Sequence, residues 1–186
     1  MLVHHHSSIL TNQNSLLKEP KHQTISVRIR EATLADLPSV LALYAQPDID
    51  CGDVLPAAQA EQIFARFKQY PDYRLYVAES GNRVVGTFAL LIMDNLAHQG
   101  ARSGLVEDVV VDAASQRRGI GRRMMAFALD RCGAAGCYKM TLSSNLKRRA
   151  AHRFYEALDF AKHGYSFSAT VPMPNHPPVL TPKQPT

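Results

Sequence analysis

Gly119 and Gly121, two residues apart behind Gln116-Arg117-Arg118, are where a chemistry can first be argued. They follow Val106-Glu107-Asp108-Val109-Val110-Val111, a run too short and too β-branched to favour a helix, and a turn, Asp112-Ala113-Ala114-Ser115. A helix with an apolar stripe is expected to begin there, over 119–134. Glycines at a helix mouth let a ligand approach the backbone, where the first N–H groups have no intrahelical partner. Together with the positive end of the helix dipole they form an anion site suited to a pyrophosphate. A Walker P-loop is excluded because no GxxxxGK followed by Ser or Thr exists, and the first glycine of a GxGxxG fingerprint is missing.

A second constellation lies downstream. A strand reading Tyr138-Lys139-Met140-Thr141-Leu142-Ser143 leads to Asn145 and then to AAHRFYEALDF, from Ala150 to Phe160. Val111 followed five residues later by QRRGIG resembles motif A of the GNAT superfamily, the acetyl-CoA-dependent N-acetyltransferases. Asn145 with Ala151, Phe154, Tyr155, Leu158 and Phe160 resembles that family's motif B. Two positions depart from the pattern, Arg117 and Asp159, where glycine is common in the family.

The resemblance implies an α+β fold: a mixed central sheet, its fourth and fifth strands parallel and splayed, flanked by about four helices. It implies acetyl-CoA as cosubstrate and no metal. The pantetheine arm would pair with the backbone of Val109 and Val111. The pyrophosphate would sit on Gln116, Arg117, Arg118, Gly119, Ile120, Gly121 and Arg122. Asn145 would bond the pantetheine or the substrate, although a helix-cap residue looks the same in sequence. The Val109 N–H would face the developing oxyanion. Tyr155 would protonate the departing thiolate and contact the coenzyme, its alternative being a ring packed beside Phe154. Glu107 is the candidate base or water-orienter, with Asp108 as alternative. Strict alternation would put Glu107, Val109 and Val111 on one face, and Asp108, Val110 and Asp112 on the other. His152 reads as a helix-surface residue. Cys137 has no paired His nearby in sequence, so transfer is expected to be direct, without an acetyl-enzyme.

The expected acceptor is a primary amine of a small molecule. EDVVV and GCYK are similar to segments of glucosamine-6-phosphate N-acetyltransferases, and LSSNLKRRAAHRFY is similar to aminoalkylphosphonate N-acetyltransferases. Both classes act on amines that carry a phosphoryl group, which Lys147, Arg148 or Arg149 could serve. Asp48, Asp50 and Asp53 pull the other way, toward a cationic substrate or a protein lysine. A non-catalytic acyl-CoA sensor would keep QRRGIG and could dispense with Glu107 and Tyr155. A nucleic-acid-binding domain would explain the net charge of +5 but not FYEALDF. That charge gathers instead at Arg117, Arg118, Arg122 and Arg123, a collar suited to coenzyme phosphates.

The elements that must position these residues follow from periodicity. Ile25 to Arg30 alternates as a strand; Thr33 and Asp36 cap a helix carrying Leu37, Val40, Leu41 and Tyr44. A loop from Pro47 to Pro56 precedes a helix with Ile63, Phe64 and Phe67. Strands over 74–79 and 83–93 flank the Ser80-Gly81-Asn82 turn. Strand 103–112, helix 119–134, strand 138–143 and helix 147–158 complete the order, with short strands expected near 160–163 and 165–171. The order makes strands 4 and 5 parallel through a crossover helix.

The 186 residues, 46% of them apolar, fit one domain over 25–171, between a flexible arm at 1–24 and a proline-rich tail at 172–186. No apolar run is long enough to span a bilayer. No signal peptide is visible, and Cys51, Cys132 and Cys137 follow no metal spacing. A cytoplasmic location without membrane or nucleic-acid partners, and a homodimer as an open possibility, complete the expectations.

Overall fold

The computed structural model describes residues 26–47, 49–169 and 171, so the expected arm and tail lie outside the described residues, as does Asp48. Strand β1 (Val27–Glu31) leads through a 3₁₀ turn (Leu34–Asp36) into α1 (Leu37–Tyr44). Helix α2 (Ala57–Phe67) follows, then β2 (Tyr73–Ser80) and β3 (Arg83–Met93). Strand β4 (Arg102–Val111), α3 (Ile120–Ala134), β5 (Cys137–Leu142) and α4 (Arg149–Glu156) complete the described order.

The five strands lie in the order β1-β2-β3-β4-β5. The first three pairings are antiparallel, and β4 pairs with β5 in parallel, as the crossover helix requires. Each face has its own core. On one, Met124, Met125, Ala128 and Ile120 of α3 pack on Phe88, Leu90 and Val106. On the other, Val40 of α1 packs on Leu75, Val77 and Ala89, beside Tyr44, Phe64, Phe67 and Tyr73. Burial of each large apolar side chain contributes about 1.5–3 kcal/mol. Both helical layers therefore clamp the sheet and leave its β4–β5 end as the place where pairing stops.

The start of α1 is set by charge as well as by pattern. Asp36, buried, accepts the Thr33 backbone N–H at 2.7 Å and the Thr33 hydroxyl at 2.8 Å. Arg30 grips the same carboxylate with two N–H groups, at 2.7 and 2.8 Å, and reaches Glu79 at 3.2 Å. The guanidinium holds the Asp36 carboxyl well below the usual carboxylate range, against the opposing effect of burial.

Two expectations need correction. Among the described residues no strand follows α4; residues 160–169 are irregular, with Tyr165 90% and Phe167 91% exposed. The alternation of that segment is genuine, but a strand needs a neighbouring edge, and these side chains pack on none. Helix α4 also starts two residues later than periodicity suggests, because Asn145 bends the chain before Arg149.

Candidate active site

Pairing between β4 and β5 ends at Val106 with Leu142. From Glu107 to Val111, β4 stays bonded to β3 but has no strand on its other side. The main-chain groups on that side of β4 have no strand partner, which leaves room for an extended chain to pair there. This is the splay that the sequence motifs imply.

Within the gap β4 carries a bulge. Thr87 pairs with Val110 and Ala89 with Glu107, so Phe88 alone opposes both Asp108 and Val109. Asp108 adopts φ +52°, a left-handed conformation that costs about 1–2 kcal/mol for an L-residue. The extra residue overturns the expected alternation. Glu107 shares the α1/α2 face with Ala89, whereas Val109 and Val111 pack toward α3. Asp108 keeps contact with solvent, yet it sits near Tyr44 and Tyr73. Burial first, then the Asp50 charge, raises its carboxyl above the ordinary range. Burial raises Tyr44 and Tyr73 as well, with Asp108 adding to both.

The helix mouth lies beyond the turn. Gln116 donates its side-chain N–H to the Val111 carbonyl at 3.2 Å, which folds the turn back onto its strand. Arg117 (φ +60°) and Gly119 (φ +77°) are both left-handed and direct the backbone into α3. A Cβ built on Gly119 meets nothing within 4 Å, so open space lies over the first turn. Ile120 is anchored in the core, while Arg117, Arg118, Arg122 and Arg123 are exposed around the opening. This cradle of free N–H groups, open space and cations fits a phosphate chain.

Gly121 connects the mouth to the far wall. A Cβ there would come within 3.0 Å of the Phe154 ring, so glycine lets α4 pack this closely on the first turn of α3 without a shift of the ring. Arg122 adds a weak bond to the Ala157 carbonyl at 3.4 Å. Tyr155 follows Phe154 and packs edge-on against it and against Phe160, with ring centroids 5.1 and 5.8 Å away. Burial raises its phenol, an effect that Arg148 partly offsets. The ring packing expected as the alternative for Tyr155 is present, and its hydroxyl stays protonated near neutral pH.

Asn145 is a turn residue here. Its Oδ1 accepts the Lys147 backbone N–H at 2.9 Å, and its carbonyl contacts His152 Nε2, also at 2.9 Å. His152 therefore staples the β5–α4 turn. Strand β4 thus carries Glu107, Asp108, Val109 and Val111, the helix mouth carries residues 116–122, Tyr155 packs on the same core as Val109 and Val111, and Asn145 lies in the turn before α4. Sequence reasoning missed the bulge and, with it, Tyr44 and Tyr73. Two adjacent acids inside a valine strand were the available signal. Among the described residues no group of three or more His, Cys, Asp and Glu could hold a metal, and no helix is long and apolar enough to cross a membrane.

Comparisons with known proteins agree with this geometry. Residues 40–160 match the model of the Acetyltransferase (GNAT) family. The chain is 34% identical over 97 residues to the probable glucosamine 6-phosphate N-acetyltransferase 2 of Oryza sativa subsp. japonica, covering 50% of this chain and 57% of that one. It is 29% identical over 140 residues to the aminoalkylphosphonate N-acetyltransferase of Salmonella typhimurium, covering 75% and 88%. The chain spans only 50–59% of the length of its first plant and trypanosome relatives. A transcriptional regulator from Bacillus halodurans C-125 superposes with a TM-score of 0.74 at 27% identity, over 78% of this chain and 100% of that one. One fold thus carries more than one described role. The family model covers well over half of the chain, from α1 to the end of α4, and includes both the splay and the glycine helix mouth: the chain belongs to the Acetyltransferase (GNAT) family.

Proposed function

We propose that the protein is an N-acetyltransferase that moves an acetyl group directly from acetyl-CoA to a primary amine of a small molecule. The observation that carries this reading is the end of β4–β5 pairing at Val106, next to a helix mouth open over Gly119. When bound, the coenzyme supplies an activated thioester. The residues Gln116 to Arg122 hold its phosphates, and the backbone of Val109 and Val111 holds its pantetheine arm.

An ammonium must lose its proton before its nitrogen can bond to the thioester carbonyl carbon. Asp108, raised by burial and Asp50, is the better-matched acceptor for that proton. Glu107, beside it on β4, orients the amine or the water that relays the proton. The Val109 N–H faces the carbonyl oxygen as negative charge grows there. As the carbon–sulfur bond breaks, Tyr155 gives its phenolic proton to the sulfur and recovers one, through water, from the nitrogen of the collapsing intermediate. An acetyl-enzyme is not invoked: Cys132 is buried, with its thiol pushed up to about 12 by burial and by Cys137, which keeps it an unreactive thiol near neutral pH.

Relatives named for glucosamine 6-phosphate and for aminoalkylphosphonates make phosphorylated amines the first acceptors to screen. Arg148 and Arg149 are the cations for such a phosphoryl group. The test is calorimetric titration of acetyl-CoA and of 3′-dephospho-CoA into the protein, followed by an acceptor screen for thiol release. Micromolar binding that weakens without the 3′-phosphate, with turnover on an amine, is the expected result. Binding without turnover on any amine would favour the acyl-CoA sensor, and binding to neither would overturn the coenzyme site.

A further inference from the structure

Gln46, just past the end of α1, uses both ends of its side-chain amide. Its Oε1 accepts the Ala113 N–H at 3.1 Å, from a residue 67 positions away in sequence. Its Nε2 donates to the Leu43 carbonyl at 3.0 Å. Ala113 opens the 3₁₀ turn Ala113–Ser115, and Leu43 lies in the last turn of α1. Helix starts leave N–H groups open and helix ends leave carbonyls open, so one amide serves both. The residue type matters: glutamate could accept but not donate, and lysine could donate but not accept.

The two segments that meet at Gln46 serve different parts of the site. The turn from Asp112 to Gln116 leads into the helix mouth and is tightly held. Its Asp112 N–H donates to the Val85 carbonyl at 2.9 Å, and the Ser115 hydroxyl donates to Asp112 at 2.7 Å. The loop between α1 and α2 hangs from the last residues of α1 and those just after it. Ile49 N–H donates to the carbonyl of Gln46 itself at 2.9 Å, Asp50 N–H to Tyr44 at 3.1 Å, and Gly52 N–H to Ala45 at 3.0 Å. That loop carries Asp50, whose charge acts on Asp108. Gln46 thus holds the loop with its backbone and the turn with its side chain.

We propose that Gln46 is a positioning residue that couples coenzyme binding to the loop beside Asp108. Phosphates at the helix mouth fix the 112–116 turn, and the turn, through Gln46, steadies the loop that carries Asp50. The amine then meets a loop already ordered, which lowers the cost of its binding. By reciprocity, an ordered loop raises coenzyme affinity by the same factor. Gln46 touches no reacting atom and acts only through Ala113 and the loop. This assignment rests on the acetyl-transfer reading above.

The test is amide hydrogen exchange on the full chain, with and without saturating coenzyme A, in the parent and in Gln46→Ala. In the parent, coenzyme A slows exchange at Ile49, Asp50 and Gly52 about fivefold, the scale of one hydrogen bond. In Gln46→Ala that response is lost, while the helix mouth at 116–122 is still protected by the coenzyme. Gln46→Glu, which keeps the acceptor for Ala113, retains part of the response. A variant whose loop exchanges faster in both states but still slows fivefold with coenzyme would make Gln46 a plain structural tie and overturn the coupling. A parent loop that ignores bound coenzyme would overturn it too. Calorimetry on the parent separates the two readings: without coenzyme A binding, acetyl transfer itself falls; with binding and an unresponsive loop, the Gln46 coupling alone falls.

Discussion

Arg30, in the β1–β3 half of the sheet, places its N–H groups on two carboxylates; Ser144, at the β4–β5 end, has a buried hydroxyl with no partner among the described residues. The contrast extends to the backbone. Strand β2 is paired on both sides, to β1 and to β3, whereas β4 loses its outer neighbour at Glu107 and twists through a left-handed Asp108. One region spends its polar groups on holding the fold. The other withholds them, which a region meant only for stability would not do. Binding surfaces and stable scaffolds thus divide the same sheet between its two ends.

Substitutions at four positions would break or sharpen this comparison. The largest effect is expected in the satisfied half. Asp36→Ala leaves Arg30 with Glu79 alone and removes the acceptor of the Thr33 N–H and hydroxyl, so stability falls by about 3 kcal/mol in urea unfolding. The pH dependence has a fixed sign. The folded-state pKa of Asp36 is depressed, so its contribution is fully present above roughly pH 4 and is lost as pH falls below it. A variant that matched the parent at pH 7 would put the network among ordinary surface pairs.

Next comes Gly119→Val, whose side chain would occupy the open space over the helix mouth and strain a φ of +77°. Coenzyme affinity should fall about a hundredfold, which is ~2.7 kcal/mol. Gly119→Ala adds the strain with little bulk, so it separates lost space from lost backbone geometry. Tyr155→Phe should lower turnover more than tenfold, over ~1.4 kcal/mol in the barrier, with acetyl-CoA affinity nearly unchanged. Equal loss in both quantities would assign the ring to packing against Phe154 and Phe160. The smallest effect is a gain. Asp108→Gly relieves the left-handed strain and should stabilise the protein by about 1 kcal/mol, while turnover drops. Stability and activity moving together at position 108 would contradict the division between the two ends.

Much of this layout was legible in the chain. The Gly119 and Gly121 pair and the β-branched run before it located the helix mouth, and the family resemblance that they carry with the FYEALDF helix implied the splay. They could do so because each depends on local residue type at fixed spacing. Strand β3 was read from Arg83 to Met93 as it stands. The bulge was not legible in direction, since a period of two has no room for an extra residue. Glu107-Asp108 announced a break in the pattern without saying which acid would turn where. Tyr44 and Tyr73 escaped notice as site neighbours because they come from the opposite half of the sequence and meet Asp108 only through the tertiary fold. Tyr165 and Phe167 taught the converse: an alternating segment is a strand only where an edge awaits it.

The contact between Gly121 and Phe154 makes positions 121 and 154 a single mutational unit. An alanine at 121 drives into the ring, and a smaller residue at 154 leaves a hole against α3, but the two changes made together can fit. A change at 121 alone would push the Phe154 ring by a few tenths of an ångström, and Tyr155, packed on that ring, would feel the shift. The grip on the phosphates and the delivery of a proton to sulfur would then change in step, so variants selected for weaker coenzyme affinity at position 121 should show altered turnover without any change in the reacting groups.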